Sequence, residues 1–292
     1  MSGLFYKMLS VGRRLPGPLR RLLGRGYRAY QRASRGRRVV ATVDGITYQL
    51  DLSEYIDSSI YFGGCFEPHT TAAINRLCRP GMTVIDIGAN VGCHALRFAK
   101  LAGPAGRVVA FEPMAWARAK LLRNIELNKF QNVTVESVAL SDSAGTREAY
   151  FRSSWQSEEG SDPESLKPGP VTFETLDGYA ERRGLGRVDM VKLDVDGFEF
   201  RVIRGAARTL AAHKPVIIIE LGPHLLAHAG DDVGEMAEFL ASLGYKFFDE
   251  ATLEKFPNVA SVVRAIPAGD TINVILRHGD LPDAAPPKGD AR

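Results

Sequence analysis

Residues 84–92 read Val-Ile-Asp-Ile-Gly-Ala-Asn-Val-Gly, an apolar strand that contains a carboxylate and runs into a glycine turn. Gly88 and Gly92 allow the backbone to bend and to approach a ligand where a Cβ atom would clash. No Gly-Lys-Ser or Gly-Lys-Thr follows, so the turn is not a nucleotide-binding P-loop. Asn90 stands where a dinucleotide-binding turn needs glycine to approach a pyrophosphate. Because the Asp86 carboxylate would also repel an anion, the stretch favours a cationic ligand.

A second carboxylate, Glu112, follows the next predicted strand. A carboxylate at this place can accept hydrogen bonds from both hydroxyls of a ribose. S-Adenosylmethionine is a nucleoside with a sulfonium and an ammonium group, so the two carboxylates together predict that cofactor. We leave two structural alternatives open, an N-cap-like role for Asp86 and a solvated strand end at Glu112. The candidate cofactor-binding residues are Asp86, Gly88, Ala89, Asn90, Gly92, Glu112, Val138, Ala139, Asp142 and Asp194.

Strand and helix patterns alternate on both sides of this turn. The predicted strands cover residues 83–87, 107–111, 133–140, 188–193 and 216–221, followed by short strands at 245–248 and 271–276. The predicted helices cover residues 70–77, 92–101, 115–128, 199–212 and 233–243. This alternation predicts an α/β fold with a doubly wound, mostly parallel sheet and helices on both faces. A ligand then binds at the carboxyl ends of the strands.

Two further segments have their own patterns. Residues 39–43 and 46–50 are apolar and flank Asp44-Gly45, which predicts a β-hairpin. Residues 152–170 are polar and rich in Ser, Pro and Gly, which predicts a surface loop.

The fourth predicted strand runs into Lys-Leu-Asp-Val-Asp-Gly at residues 192–197. A period of two places Lys192, Asp194 and Asp196 on one side of the strand. Methyl transfer to a hydroxyl needs a group that takes the proton, because a hydroxyl is a poor nucleophile at neutral pH. The candidate catalytic residues are Asp194, Asp196, Glu220, His224 and Lys192. His94, in the helix after the glycine turn, is expected only to pack or to be solvated.

The Asp-x-Asp-Gly run also suggests Mg²⁺ or Ca²⁺, which prefer oxygen ligands. The run resembles the start of an EF-hand loop, but the twelfth position is Gly205 rather than a glutamate. We therefore predict no metal site, with a divalent metal at Asp194 and Asp196 as the alternative.

The composition is that of a globular protein. The chain has 292 residues, of which 45% are hydrophobic and 24% are charged. No apolar run approaches the roughly 20 residues that a membrane-spanning helix requires. Three scattered cysteines without a C-x-x-C pair favour a reducing, cytoplasmic setting.

The net charge of +3 conceals an uneven distribution. Residues 1–38 contain eleven Lys and Arg and no Asp or Glu. The rest of the chain contains the other 26 of the 37 basic residues and all 34 acidic residues, so it is net acidic. Leucine and tyrosine recur at helical spacing within residues 19–30, which favours an amphipathic helix on an anionic membrane surface. A solvated or packed tail and a mitochondrial presequence remain alternatives.

We divide the chain into four parts. Residues 1–38 form the basic arm, and residues 39–78 form a hairpin and substrate-side segment. We expect residues 79–280 to form the cofactor-binding methyltransferase domain and residues 281–292 to form a flexible tail.

Motifs in family order give the chain a specific resemblance. They comprise residues 55–61 (YIDSSIY) with Gly64, Glu67 and Pro68, residues 86–92 (DIGANVG), 111–113 (FEP), 138–142 (VALSD), 175–177 (TLD), 192–199 (KLDVDGFE) and Glu220. On these residues the chain resembles the FkbM family of S-adenosylmethionine-dependent methyltransferases. The resemblance implies a class I methyltransferase sheet of order 3-2-1-4-5-7-6 and O-methylation, often of sugars or secondary metabolites. It also implies that Asp86 and Glu112 bind the cofactor.

Three features depart from the family pattern. Asp196 stands where the family usually has glutamate, which keeps the charge on a shorter side chain. Cys93 and His94 stand where tyrosine or aliphatic residues are common. The basic arm lies outside the family pattern.

We therefore expect an O-methyltransferase acting on a hydroxyl of a sugar, glycolipid or natural product, with a small-molecule or glycan acceptor. One alternative is a non-catalytic S-adenosylmethionine-binding or scaffold protein. Another is a nucleic-acid methyltransferase that uses the basic arm, although an arm alone gives only nonspecific binding and no specific nucleic acid is expected. A nicotinamide dehydrogenase is disfavoured by the glycine spacing.

Overall fold

The computed structural model describes residues 26, 33, 36–152 and 166–280. The strands are β1 (Arg38–Val43), β2 (Ile46–Asp51), β3 (Thr83–Ile87), β4 (Arg107–Phe111), β5 (Val133–Glu136), β6 (Ala139–Leu140), β7 (Gly145–Arg152), β8 (Leu166–Glu174), β9 (Met190–Leu193), β10 (Val216–Leu221), β11 (Lys246–Asp249) and β12 (Ile272–Arg277). The helices are α1 (Tyr55–Gly63), α2 (Pro68–Leu77), α3 (Cys93–Ala102), α4 (Ala115–Asn128), α5 (Leu176–Arg183), α6 (Glu199–Arg204), α7 (Ala207–His213), α8 (Pro223–His228), α9 (Val233–Ser242) and α10 (Val259–Ala265). The predicted arm helix, the tail and most of the predicted loop fall outside the described residues.

A seven-stranded sheet has the order β11-β12-β10-β9-β3-β4-β5. The five strands from β10 to β5 are parallel, and β12 runs antiparallel to both of its neighbours. Numbered within this sheet, the order is 3-2-1-4-5-7-6 when read from β5. The predicted fold class and the strand order that the resemblance implies are therefore confirmed.

Helices cover both faces of the sheet because its central strands are apolar on both faces. Ile85, Ile87 and their counterparts on neighbouring strands pack against α5, α6, α7 and α9. Val84 and Met190 face the other way and pack against α2 and α3. The alternation places Asp86 and Lys192 on the same face as Val84 and Met190, toward α2 and α3.

The predicted hairpin is confirmed. Strands β1 and β2 pair antiparallel with Val43 opposite Ile46, and the two turn residues Asp44 and Gly45 have positive φ. Such a turn matches the right-handed twist of the two strands. The inner face of the hairpin packs against α1 and the start of α3. Helix α2 shares a core with the central sheet, so the segment at residues 39–78 is continuous with the fold around it.

The third predicted strand was wrong in its extent. The chain leaves the central sheet after Glu136, and β6 pairs with β8 in a separate three-stranded sheet of order β6-β8-β7. Residues 166–170, which were expected to lie in a loop, belong to β8. Strand β6 depends on a partner about 30 residues away, which the local pattern does not reveal.

The single helix predicted at residues 199–212 is also wrong, because the structure has α6 and α7 with a break between them. A Cβ atom at Gly205 in this break would lie 2.0 Å from the carbonyl oxygen of Ser141. The break is therefore a tertiary contact with the loop after β6, and the periodicity of the helix carries no sign of it. Helices α1, α5, α8 and α10 were not predicted.

Within the described part of the chain, no helix combines the length and the apolar character that crossing a bilayer requires.

Candidate active site

The turn after β3 is held by its own protein neighbours. The amides of Gly88 and Ala89 both donate to the carbonyl oxygen of Phe111 on β4. Gly88 has φ +82°, and a Cβ atom there would lie 1.9 Å from the carbonyl oxygen of Asp194. The sequence suggested that Gly88 lets a ligand approach, whereas the structure shows that it lets the end of β9 approach.

The second half of the turn is equally tight. A Cβ atom on Gly92, which has φ +93°, would lie 2.5 Å from Cδ1 of Leu121 on α4. Asn90 adopts φ +49°, a left-handed conformation that asparagine tolerates better than most residues. Its side-chain oxygen is buried and has no hydrogen-bond partner among the described residues. The turn therefore presents an unsatisfied polar atom beside the strand ends.

Glu112 connects this turn with the next one. One of its carboxylate oxygens accepts the Asn90 amide and the other accepts the Met114 amide, each at 2.8 Å. The side chain is almost fully buried, and burial raises the pKa of Glu112 to about 7. Each oxygen keeps acceptor capacity beyond its single amide. Glu112 can thus hold the two turns and still accept a ligand hydroxyl.

Asp86 is the most isolated polar side chain of the site. It is fully buried, and neither carboxylate oxygen has a hydrogen-bond partner in the described part of the chain. Burial raises the pKa of Asp86, while the charges of Lys192 and His94 oppose that rise. A buried carboxylate without a partner destabilises the folded protein by roughly several kcal/mol, unless a cation or a hydrogen-bond donor compensates its charge. Asp86 is therefore suited to a positively charged ligand group.

Lys192 lies beside Asp86, its register partner across β3 and β9. Its ammonium donates to Asp194 Oδ2 at 2.8 Å. Burial by itself would lower the pKa of Lys192, but the charges of Asp194, Glu67 and Asp86 outweigh it and raise that pKa. Lys192 thus stays a cation under ordinary conditions, and Asp194, with 27% of its side chain exposed, remains reachable by an acceptor.

Sequence reasoning missed an ion pair between Glu67 and His94. The His94 Nε2 atom lies 2.8 Å from Glu67 Oε2, and the imidazole is buried. The expectation that His94 only packs or is solvated was therefore wrong. The two residues are 27 positions apart, and no spacing rule connects them. The one available signal was the Glu-Pro pair at the start of α2, which the resemblance had already marked.

The charges around this pair explain its ionisation. Burial would raise the pKa of Glu67, but the Lys192 ammonium and the contact with His94 lower it to about 2. Burial would lower the pKa of His94, but Cys93 and Glu67 raise it to about 10. Both partners are therefore charged at neutral pH.

Glu220 lies at the end of β10, opposite Asn273 on β12. One of its carboxylate oxygens accepts the Thr271 hydroxyl at 2.7 Å. Burial, assisted by the negative charge of Asp194, raises the pKa of Glu220 to about 8. The protonated form of Glu220 therefore predominates at neutral pH. The sequence did not indicate Thr271 or Asn273, because the start of the antiparallel strand β12 meets the end of β10 only in the folded sheet.

The remaining predicted residues are more exposed than the carboxylates Asp86 and Glu112. Strand β9 ends before Asp194, so the alternation does not extend to Asp196, which is exposed in a turn with φ +53°. His224 is exposed in the first turn of α8. Asp142 is exposed and accepts the hydroxyls of two neighbouring serines, and Val138 and Ala139 are half-buried beside it. No group of three or more potential ligand side chains with metal-binding geometry occurs among the described residues.

The comparison with known families identifies the chain. Residues 86–247, more than half of the sequence, match the family model described as the methyltransferase FkbM domain. A solved FkbM methyltransferase from Methylobacillus flagellatus superimposes with a TM-score of 0.43 at 16% identity, covering 70% of this chain and 50% of that one.

Two curated relatives match over about half of this chain. The 2-O-methyltransferase NoeI of Sinorhizobium fredii is 28% identical over 154 residues, which cover 47% of this chain and 62% of the relative. The 31-O-demethyl-FK506 methyltransferase FkbM of Streptomyces tacrolimicus is 27% identical over 184 residues, which cover 52% of this chain and 68% of the relative. With the family model covering the glycine turn, both carboxylate positions and the strands that carry them, this chain belongs to the FkbM methyltransferase domain family.

Proposed function

We propose that this protein transfers the methyl group of S-adenosylmethionine to a hydroxyl of a small molecule, a sugar or a natural product. The observation that carries the proposal is the Asp86 carboxylate, which is buried without a hydrogen-bond partner in the described structure at the carboxyl end of β3. The names of two curated relatives, a 2-O-methyltransferase and a 31-O-demethyl-FK506 methyltransferase, support transfer to oxygen.

The charge of the surrounding groups supports a cationic cofactor. Three carboxylates, Asp86, Glu67 and Asp194, interact with two cations, Lys192 and His94. When all five are ionised, the group carries one excess negative charge. S-Adenosylmethionine carries one net positive charge, since its ammonium and carboxylate cancel and its sulfonium remains. A buried charge needs such compensation, so the cofactor and the group of residues complement each other.

The two buried polar groups of the glycine turn complete the fit. Glu112 keeps acceptor capacity for ribose hydroxyls beyond the two amides that it already accepts. The unsatisfied side-chain oxygen of Asn90 offers one further acceptor next to it. These groups suit the nucleoside part of the cofactor, whereas Asp86 suits its charged part.

When bound, S-adenosylmethionine supplies an electrophilic methyl group and a neutral thioether as leaving group. We propose that Asp194 takes the proton of the acceptor hydroxyl, because its carboxylate is partly exposed at the end of β9. Lys192 holds the Asp194 carboxylate in place through its 2.8 Å hydrogen bond. Glu220 is protonated at neutral pH and so can donate a hydrogen bond to the acceptor rather than remove its proton.

Calorimetry with the purified protein tests the cofactor. We expect micromolar binding of S-adenosylmethionine and S-adenosylhomocysteine, no binding of NAD, and no effect of EDTA. Binding of neither nucleoside would refute the proposal. A signal that EDTA abolishes would instead favour the metal alternative at Asp194 and Asp196.

Replacing Glu112 with alanine is expected to weaken S-adenosylmethionine binding by about 10- to 150-fold. This range corresponds to the loss of a hydrogen bond to a charged group, about 1.5–3 kcal/mol. Calorimetric titration measures the change. The matched control is Glu126→Ala on the exposed side of α4, where the same truncation should leave the affinity unchanged. Equal affinities for the two variants would exclude Glu112 from the cofactor site.

We also propose that the basic arm holds the protein at an anionic membrane surface. Residues 1–35 contain nine Lys and Arg and no acidic residue, and each basic residue near such a surface contributes about 1 kcal/mol. Removing residues 1–35 leaves β1 intact. The truncation should reduce sedimentation with phosphatidylserine vesicles by roughly tenfold or more, and it should leave the cofactor affinity unchanged. Unchanged sedimentation would contradict the membrane role.

A further inference from the structure

The Glu67–His94 ion pair joins two elements that flank the proposed cofactor site. Glu67 immediately precedes α2, and His94 lies in the first turn of α3, directly after the glycine turn. Glu67 has φ +46°, a conformation that non-glycine residues rarely adopt. Unusual backbone conformations of this kind concentrate at functional sites. The pair therefore has the character of a functional element, although the proposed proton transfer does not need it.

The pair acts electrostatically on the residues of the site. His94 and Glu67 both contribute to the electrostatic environment of Asp86, and Glu67 also attracts the Lys192 ammonium. Several charged and titratable groups face this set from the surrounding elements. They are Cys93 at the start of α3, Asp86 on β3, Lys192 and Asp194 at the end of β9, Glu112 after β4, Glu199 on α6, Glu220 on β10, Glu250 after β11 and Asp196 in the turn before α6. The Glu67 and His94 charges belong to the same set.

We propose that the His94 imidazolium offsets the Glu67 carboxylate beside the cofactor site, and so prevents that carboxylate from strengthening the preference for cationic S-adenosylmethionine over neutral S-adenosylhomocysteine. This inference rests on the proposed function. The two nucleosides differ by one methyl group and one positive charge, so an added negative charge at the site favours one of them selectively. A pair whose charges cancel keeps the preference moderate, which allows the product to leave.

The size of the effect follows from Coulomb's law. A unit charge roughly 10 Å from a sulfonium, in a medium of effective dielectric constant about 20–40, changes its binding by about 4- to 16-fold. The neutral thioether of S-adenosylhomocysteine has almost no Coulomb interaction with such a charge. The ratio of the two affinities therefore isolates the electrostatic contribution from any general loosening of the site.

Calorimetry with both nucleosides tests the inference at pH 7.5 and fixed ionic strength. His94→Gln keeps a donor toward Glu67 and removes the positive charge, so the preference for S-adenosylmethionine should increase by about 4- to 16-fold. Adding Glu67→Gln to this variant removes the matching negative charge and should return the preference to that of the unaltered chain. The control His69→Gln removes an exposed imidazole two residues from Glu67 and should leave the ratio unchanged.

Several outcomes would overturn the inference. If His94→Gln weakened the binding of both nucleosides equally, the pair would have a structural role only. If the double variant did not return toward the original ratio, the charges would not be the cause. Nitrogen NMR of His94 in the unaltered chain is independent of how the variants fold, and a neutral imidazole at pH 7.5 would also refute it. If the unaltered chain bound neither nucleoside, the proposed function itself would fail, which is a different result from an unchanged ratio.

Discussion

Replacing Gly88 with alanine is expected to abolish cofactor binding and to lower the free energy of unfolding by about 2–5 kcal/mol. The left-handed conformation at φ +82° accounts for about 1–2 kcal/mol of this loss. The new Cβ atom would lie 1.9 Å from the carbonyl oxygen of Asp194, and such overpacking costs about 1–3 kcal/mol. Moving apart the two strand ends would also displace the residue that we propose takes the proton. Chemical denaturation and calorimetry measure the two effects.

Gly81 provides the matched control for this substitution. Its φ of +80° is nearly the same, but a Cβ atom there would meet no other atom within 4 Å. Gly81→Ala should therefore lose only the conformational part, about 1–2 kcal/mol, and should bind the cofactor normally. Equal losses of stability at the two positions would show that the close approach to Asp194 is unimportant.

Replacing Asp194 with asparagine is expected to reduce the rate of methyl transfer by about 10²–10⁴-fold, which is the usual contribution of a general base. Asparagine preserves the shape of the side chain and an acceptor for the Lys192 ammonium, but it cannot take a proton. S-Adenosylmethionine affinity should fall by no more than about 4- to 16-fold, the effect of one lost unit charge, because we propose that Asp86 and Glu112 hold the cofactor. The measurement is transfer of labelled methyl groups to a panel of saccharides and polyhydroxylated natural products.

Two further variants define the role of Asp194. Glu220→Gln mimics a carboxyl group that is already protonated at neutral pH, so it should reduce the rate far less than Asp194→Asn. Asp280→Asn, at a fully exposed position outside the site, should leave the rate unchanged. A larger loss for Glu220→Gln than for Asp194→Asn would reverse the two roles. Equal loss of cofactor affinity in Asp194→Asn and Glu112→Ala would remove the division between catalysis and binding.

The central sheet was predictable because the short apolar segments of its strands indicate burial without reference to the rest of the chain. Apart from Asp86, strands β3 and β4 are apolar at every position that they bury, and their predicted bounds agree with the structure. The hairpin was predictable for a similar reason, since Asp44-Gly45 accepts positive φ and the flanking residues alternate. In each case a short stretch carries the whole signal.

The elements that were missed depend on partners elsewhere in the chain. Strand β6 exists because β8 lies beside it, and the break between α6 and α7 exists because Ser141 packs against Gly205. The different positions of the predicted catalytic residues also depend on the tertiary structure. Asp194 and Glu220 meet at one edge of the sheet, whereas Asp196 and His224 are exposed a few residues further along the chain.

The sequence by itself predicted the α/β architecture and the family and marked Asp86 and Glu112 as candidate cofactor ligands, because the strand patterns and motifs that carry these predictions are short and local. Only the tertiary structure paired Glu67 with His94, left Asp86 without a hydrogen-bond partner in the described residues, and placed Asp194 where its charge helps to raise the pKa of Glu220. The physical reason is that ionisation depends on burial and on the charges that face a group. Those charges come from β3, β9, β10, α2 and α3, which are far apart in the chain and meet only when the sheet has formed.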